Sequence, residues 1–85
     1  MDFKKETRIY LENENGRYAE VVIEYEGNNV YNITHTVVAE AHRGEGLAGK
    51  LVDEAVNFIN LQNGKIKASC SYANARLKKQ GIIYS

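Results

Sequence analysis

The 85-residue chain has room for one hydrophobic core, and its 44% hydrophobic and 26% charged residues are those of an ordinary globular protein. Eleven Lys and Arg balance eleven Asp and Glu, which argues against a protein that grips nucleic acid by its phosphates. Cys70 is the only cysteine, so no internal disulfide can form, and no stretch approaches the roughly eighteen apolar residues of a membrane span. The start, Met1-Asp2-Phe3-Lys4-Lys5-Glu6, has no apolar segment behind its charges of the kind a signal peptide needs. The composition therefore predicts one domain over residues 1–85, in a reducing cytoplasm, with neither nucleic acid nor membrane as partner.

In chain order, Thr7 to Leu11 alternates apolar and polar residues, and Asn15-Gly16 is a strong hairpin-turn dipeptide. Ala19, Val21, Ile23 and Tyr25 then fall on one strand face, opposite Tyr18, Glu20, Val22 and Glu24. Gly27-Asn28-Asn29 supplies a second turn, and the β-branched run from Val30 to Ala39 predicts a third strand, completing an antiparallel meander. Near residue 45 the apolar period changes from two to about 3.6. Leu47, Ala48, Leu51, Val52, Ala55, Phe58 and Ile59 share one helical face, with Lys50, Asp53, Glu54, Asn57 and Asn60 on the other. Asn63-Gly64 marks the helix end. A strand over Lys65–Tyr72, with Ile66, Ala68, Cys70 and Tyr72 on one face, is expected parallel to the third strand through a right-handed crossover. Ala73 to Lys79 predicts a short basic helix stopped by Gly81. The fold class is thus α/β (α+β): a meander, a strand-helix-strand crossover and a short C-terminal helix.

The loop Ala41-His42-Arg43-Gly44-Glu45-Gly46-Leu47-Ala48 joins the third strand to the long helix. Its two glycines let the backbone turn tightly and approach a ligand, while the first-turn N–H groups of the helix point outward with the positive end of the dipole behind them. Such a loop can hold a pyrophosphate. The other reading is a plain connection whose glycines only turn the chain.

Arg43-Gly44-Glu45-Gly46-Leu47-Ala48 resembles the cofactor signature of the GNAT superfamily of acetyl-CoA-dependent N-acetyltransferases: Arg or Gln, two residues, Gly, one residue, then Gly or Ala, between a strand and a long helix. Ile33-Thr34-His35-Thr36-Val37-Val38 before the loop and Ser69-Cys70-Ser71-Tyr72 after the helix resemble the short stand-alone branch of that family, so the likeness covers roughly residues 5–80. The resemblance implies that backbone groups of Val37 and Val38 pair with the pantetheine arm of acetyl-CoA. It also implies that N–H groups from Arg43 through Gly44, Glu45, Gly46, Leu47 and Ala48 hold the pyrophosphate, with a Cβ at either glycine standing in the way. The expected activity is acetyl transfer to an amine, on a small molecule or a protein. The chain lacks segments that shape the acceptor pocket in larger members, which motivates the alternative of a catalytically silent coenzyme-A-binding or interaction module.

For that chemistry, an N–H near Val37 is the expected oxyanion donor. His35, on the same strand face, can take the amine's proton, or serve only as a hydrogen-bonded surface residue. Cys70 is a nucleophile for a two-step route, a proton donor to the leaving sulfur, or a small core filler. Tyr72, sharing its parity, is a proton donor or a packed aromatic. Among Arg43, Lys50, Lys78 and Lys79, Arg43 is the cation expected at the phosphates, and His42 is expected to face water. One Cys and two separated His provide no tetrahedral metal set. A sheet face left uncovered makes the expected state a monomer or a weak homodimer.

Overall fold

In the computed structural model, which describes residues 5–83, the chain forms one four-stranded sheet in the order β1-β2-β3-β4 with two helices. Strands β1 (Lys5–Asn13), β2 (Gly16–Gly27) and β3 (Val30–Val38) form the antiparallel meander. Each turn is supplied by residues that tolerate positive φ: Gly16 takes +108° in the first, Asn28 and Asn29 take +52° and +66° in the second. A single 3₁₀ turn, Glu40–His42, leads through the glycine loop into α1 (Leu47–Leu61). The chain then returns as β4 (Lys65–Ala68), parallel to β3, and ends in α2 (Ser71–Lys79).

The core lies between the sheet and α1. Ala19, Val21 and Ile23 of β2 and Ile33 of β3 meet Leu51, Val52, Ala55, Val56 and Ile59 of α1, and Ala73 and Leu77 of α2 close one end. The helical period thus selects the buried face as expected, with Gly49 and Val56 added to it. On the other face of the sheet, Arg8 bridges Glu6 (3.1 Å) and Glu20 (2.8 Å), and Arg17 lies 3.7 Å over the Tyr10 ring. Val22 belongs to this outward face yet is buried, with Arg8 and His35 directly opposite it on the two neighbouring strands.

Both helices stop in the same way. Asn63, at φ +56°, follows α1: the Gly64 N–H bonds the Ile59 carbonyl (3.0 Å) and the Asn63 N–H that of Asn60 (2.9 Å). Gly64 is glycine for a different reason, since a Cβ there would collide with the Tyr31 ring. After α2, Gly81 takes φ +74°, with Ile82 N–H on Leu77 O and Gly81 N–H on Lys78 O.

Two departures from the expected elements shape the site. First, β3 bulges: Val22 pairs with His35 but the next residue, Ile23, pairs with Ile33, leaving Thr34 without an opposite number. The bulge lets Ile33, Thr36 and Val38 all turn inward while His35 and Val37 face out. Second, the last strand ends at Ala68 and not at Tyr72. The β3–β4 ladder stops at Ile33↔Ala68, just where β3 bulges, and the chain beyond has no strand to pair with. Cys70 becomes the N-cap of α2, and Ser71 and Tyr72 its first turn, because Ala73 and Leu77, four residues apart, both reach the core from a helix. Among the described residues no helix is long and apolar enough to cross a membrane.

Candidate active site

Where β4 turns away, the far half of β3 is left with an open edge. The Ala39 N–H donates to the Tyr18 carbonyl (2.7 Å), so Val38 and Ala19 form a non-hydrogen-bonded pair. By strand alternation the amide groups of Thr36 and Val38 then point to the open edge, while those of Val37 face β2 opposite Glu20. The edge N–H groups near Val37 are thus those of Thr36 and Val38, and of the two residues expected to pair with a ligand arm Val38, not Val37, has its amide groups at the open edge. Val37 itself contributes a side chain that is 53% exposed and lines the cleft.

That cleft has a volume of about 560 Å³. One wall is Thr36, Val37 and Val38 of β3; the other runs from His42 through Arg43, Gly44 and Gly46 to Leu47, Ala48 and Gly49, with Tyr72 of α2 closing one side. Gly44 and Gly46 have φ +90° and +76°, a region that non-glycine residues enter at a cost of roughly 1–2 kcal/mol. A Cβ at either position would meet no protein atom within 4 Å. Backbone conformation, then, is what demands glycine here, and the space beside each glycine is open.

Gly46 is the N-cap of α1 and offers no side-chain cap, and the first turn of the helix carries no acidic residue. The first amides of α1 therefore keep their hydrogen-bonding capacity and the positive end of the helix dipole is not neutralised from within. The Arg43 Nε donates to the Val38 carbonyl (3.3 Å), tying the loop to the open strand edge. Glu45 directs its carboxylate to His42 Nδ1 (3.4 Å) and not into the cleft. His42 is not simply hydrated: its ring stacks on Tyr18 with centroids 4.2 Å apart, which fixes the start of the loop against β2.

The candidate catalytic side chains are not all brought together. Tyr72 is 45% exposed and lines the cleft, but from the first turn of α2 and not from a strand. Cys70 is half-buried behind the lining, packed against the core, with its Sγ on Thr36 Oγ1 at 3.6 Å. His35 is exposed on the outward face of β3 beside Val37, outside the cleft lining. Lys50, Lys78 and Lys79 are also outside that lining among the described residues.

Arg76, one turn beyond Tyr72 and outside the cleft lining, braces the site in a way the sequence does not announce. It grips Asp53 of α1 with Nε (3.2 Å) and Nη2 (2.9 Å), and its guanidinium lies over Gly49, where a Cβ would be 3.0 Å away. The hydrogen bond from Arg76 holds the Asp53 carboxyl below the usual aspartate range. Asp53 and Arg76 thereby clamp α2 to α1 beside Gly49, which lines the cleft. The only sequence signal for this is the small residue Gly49 inside a helix that otherwise favours larger apolar residues.

An open strand edge meeting an uncapped, glycine-led helix N-terminus has the hydrogen-bonding groups to take an extended ligand with an anionic end, and comparison with known proteins defines the class. Residues 7–84 match the family model of GCN5-related N-acetyltransferases. The chain belongs to this family. Protein NATD1 of Gallus gallus and of Mus musculus is 30% identical over 64 residues, 75% of this chain and 58% of either relative; the Homo sapiens protein is 30% identical over 57% of its own length. The chain thus spans less than two thirds of these relatives. The solution structure of a GCN5-like protein from Staphylococcus aureus is 34% identical with a TM-score of 0.71, covering 92% of this chain and 79% of that one. The crystal structure of a ribosomal-protein-alanine N-acetyltransferase from Brucella melitensis shares the fold at 13% identity, with a TM-score of 0.71 over 94% of this chain and 65% of that one.

Proposed function

We propose that the protein binds acetyl-CoA in the cleft between β3 and α1 and transfers the acetyl group to an amine by direct attack within a ternary complex. The observation that carries this reading is the meeting of the open β3 edge with the uncapped N-terminus of α1 across a 560 Å³ cleft. The amide-bearing edge at Thr36 and Val38 suits the pantetheine arm, which can add to the sheet as a further strand would. The Arg43–Ala48 segment suits the pyrophosphate, through main-chain N–H groups and the helix dipole. The bound cofactor supplies the activated acetyl thioester.

The chain's own groups then have separable tasks. An edge N–H of Thr36 or Val38 receives the negative charge that develops on the carbonyl oxygen as the amine adds. Tyr72, which lines the cleft, gives its hydroxyl proton to the departing sulfur. His35, on the outward face beside Val37 and outside the cleft lining, takes the proton lost by the amine through water. Cys70 lies behind the lining with its thiol on Thr36, which favours the direct route over an acetyl-cysteine intermediate.

Release of free coenzyme A thiol, measured with acetyl-CoA and a panel of small amines and peptide amines, tests the reading. Tyr72→Phe is expected to lower kcat by about a hundredfold, in the range for a lost general acid, with cofactor affinity little changed. Cys70→Ala is expected to keep turnover within a few-fold. Loss of turnover in Cys70→Ala with trapping of an acetylated thiol in the wild type would replace direct attack by the two-step route. Saturable binding with no turnover on any amine would favour a silent coenzyme-A-binding module.

A further inference from the structure

One buried polar group takes no part in the cleft described above. Asn32 of β3 is 4% exposed, and its amide is nonetheless well partnered: Oδ1 accepts from the Ser69 N–H (2.9 Å), and Nδ2 donates to Ser69 Oγ (2.7 Å) and to Glu26 Oε2 (2.7 Å). Glu26 is held in turn by Lys67 Nζ at 3.1 Å. One side-chain network thus joins β2, β3 and β4.

The position of this network gives it its meaning. Asn32 precedes Ile33, the last β3 residue of the ladder, and Ser69 follows Ala68, the last residue of β4. Beyond these residues both segments leave the pairing: Thr34 is bulged, and Cys70 caps α2. Ser69 and Cys70 N–H groups both bond the Ile33 carbonyl at 3.1 Å, and Asn74 seals the other side with its Nδ2 on the Ala68 carbonyl (3.1 Å) and its N–H on that of Cys70 (2.8 Å). Two strands that part here need a fixed point of parting, because every degree of rotation at the fork moves the chain beyond it. Two residues past the fork on one side is Thr36, and three past Ser69 on the other is Tyr72, both in the cleft wall. A buried amide costs stability unless fully bonded, whereas an apolar residue would seal the sheet as well at no such risk.

We propose that Asn32, acting through Ser69, pins the fork between β3 and β4 and thereby sets the width of the open edge and the placement of Tyr72 against it. It is a positioning residue for the acetyl-CoA arm, and this rests on the reading of the cleft given above. Asn32→Leu removes all three hydrogen bonds while keeping the branch at Cγ. Ser69→Ala removes only the hydroxyl arm at a residue that is exposed, so it tests the pin even where Asn32→Leu folds poorly. Val56→Ala, a core truncation in α1 away from the fork, serves as a control that loses stability without touching the network.

The experiment measures acetyl-CoA affinity by calorimetry and backbone amide hydrogen exchange for the wild type and the three variants. Asn32→Leu is expected to weaken acetyl-CoA binding about tenfold and Ser69→Ala about threefold, the range for lost buried hydrogen bonds expressed in binding. Exchange at the Ser69 and Cys70 amides should accelerate ahead of the core strands, and Val56→Ala should bind acetyl-CoA as the wild type does despite a lower Tm. Wild-type binding together with unchanged affinity in both fork variants would overturn the pin alone. An equal loss in Val56→Ala would also overturn it, since affinity would then merely follow stability. A wild-type protein that binds no acetyl-CoA would overturn the functional reading first, and the pin's role with it.

Discussion

Gly46 occupies left-handed backbone at the N-cap of α1, and a Cβ added there has room but not the conformation. Gly46→Ala is therefore expected to cost about 1–2 kcal/mol, divided between fold and cofactor binding as the loop shifts to a more extended backbone. Thermal melting with and without acetyl-CoA measures both shares, and an alanine variant equal to the wild type in each would show that the left-handed turn is not required. At Asp53, the hydrogen bond from Arg76 lowers the folded-state pKa, so the pair's contribution is fully present above the ordinary aspartate value of about 3.9 and is lost as pH falls through the lowered one. With half of the Asp53 side chain exposed, that contribution is under about 1 kcal/mol. Asp53→Asn should melt slightly below the wild type at pH 7 and converge with it in acid, once pH has fallen through the lowered Asp53 pKa. A gap that persists or widens in acid would mean that the ion pair is not what the substitution removes. The residues that carry this site differ in how visible they are in sequence. The glycines of the loop stand at a change of period and announce a turn, whereas Asn32 and Arg76 act through partners 37 and 23 positions away, and nothing local marks them.

At the scale of elements, α1 and the first three strands follow directly from period and turn chemistry, because each buries a face whose pattern is written within a dozen residues. The ending of β4 does not. Lys65 to Tyr72 alternates well enough to continue as a strand, and only the bulge at Thr34, inside a β-branched run with no glycine or proline to mark it, deprives that strand of its partner. Cys70 and Tyr72 are accordingly displaced from their expected strand face to the start of α2, which separates them: one packs inward and the other reaches the cleft. The position of Tyr72 then depends on how α2 is seated, and Leu77, fully buried, is its main anchor in the core. Leu77→Ala should cost about 2–5 kcal/mol and lower Tm by roughly 10–40 °C, a large part of the stability of so small a protein. Below its lowered Tm the variant should retain acetyl-CoA binding through the loop and β3 while losing most turnover. Turnover that survives undiminished would separate α2 from the chemistry.

Over the whole molecule, the sheet has one face covered by α1 and one faced by charged and aromatic side chains, and the cleft opens where β3 and β4 part at the edge of that arrangement. The ligand is thus expected to complete the fold: its arm pairs with an unpartnered strand edge and its phosphates meet unpartnered helix amides. Binding of that kind stabilises the folded state by mass action, about 2.7 kcal/mol at one hundred times the dissociation constant. Isothermal titration of the intact protein with acetyl-CoA measures this most directly. Saturable one-to-one binding, abolished in a Gly46→Trp variant that blocks the start of α1, is the predicted result. The absence of binding at millimolar acetyl-CoA by a folded wild-type protein would contradict it, leaving the glycine loop as a connection between strand and helix and nothing more.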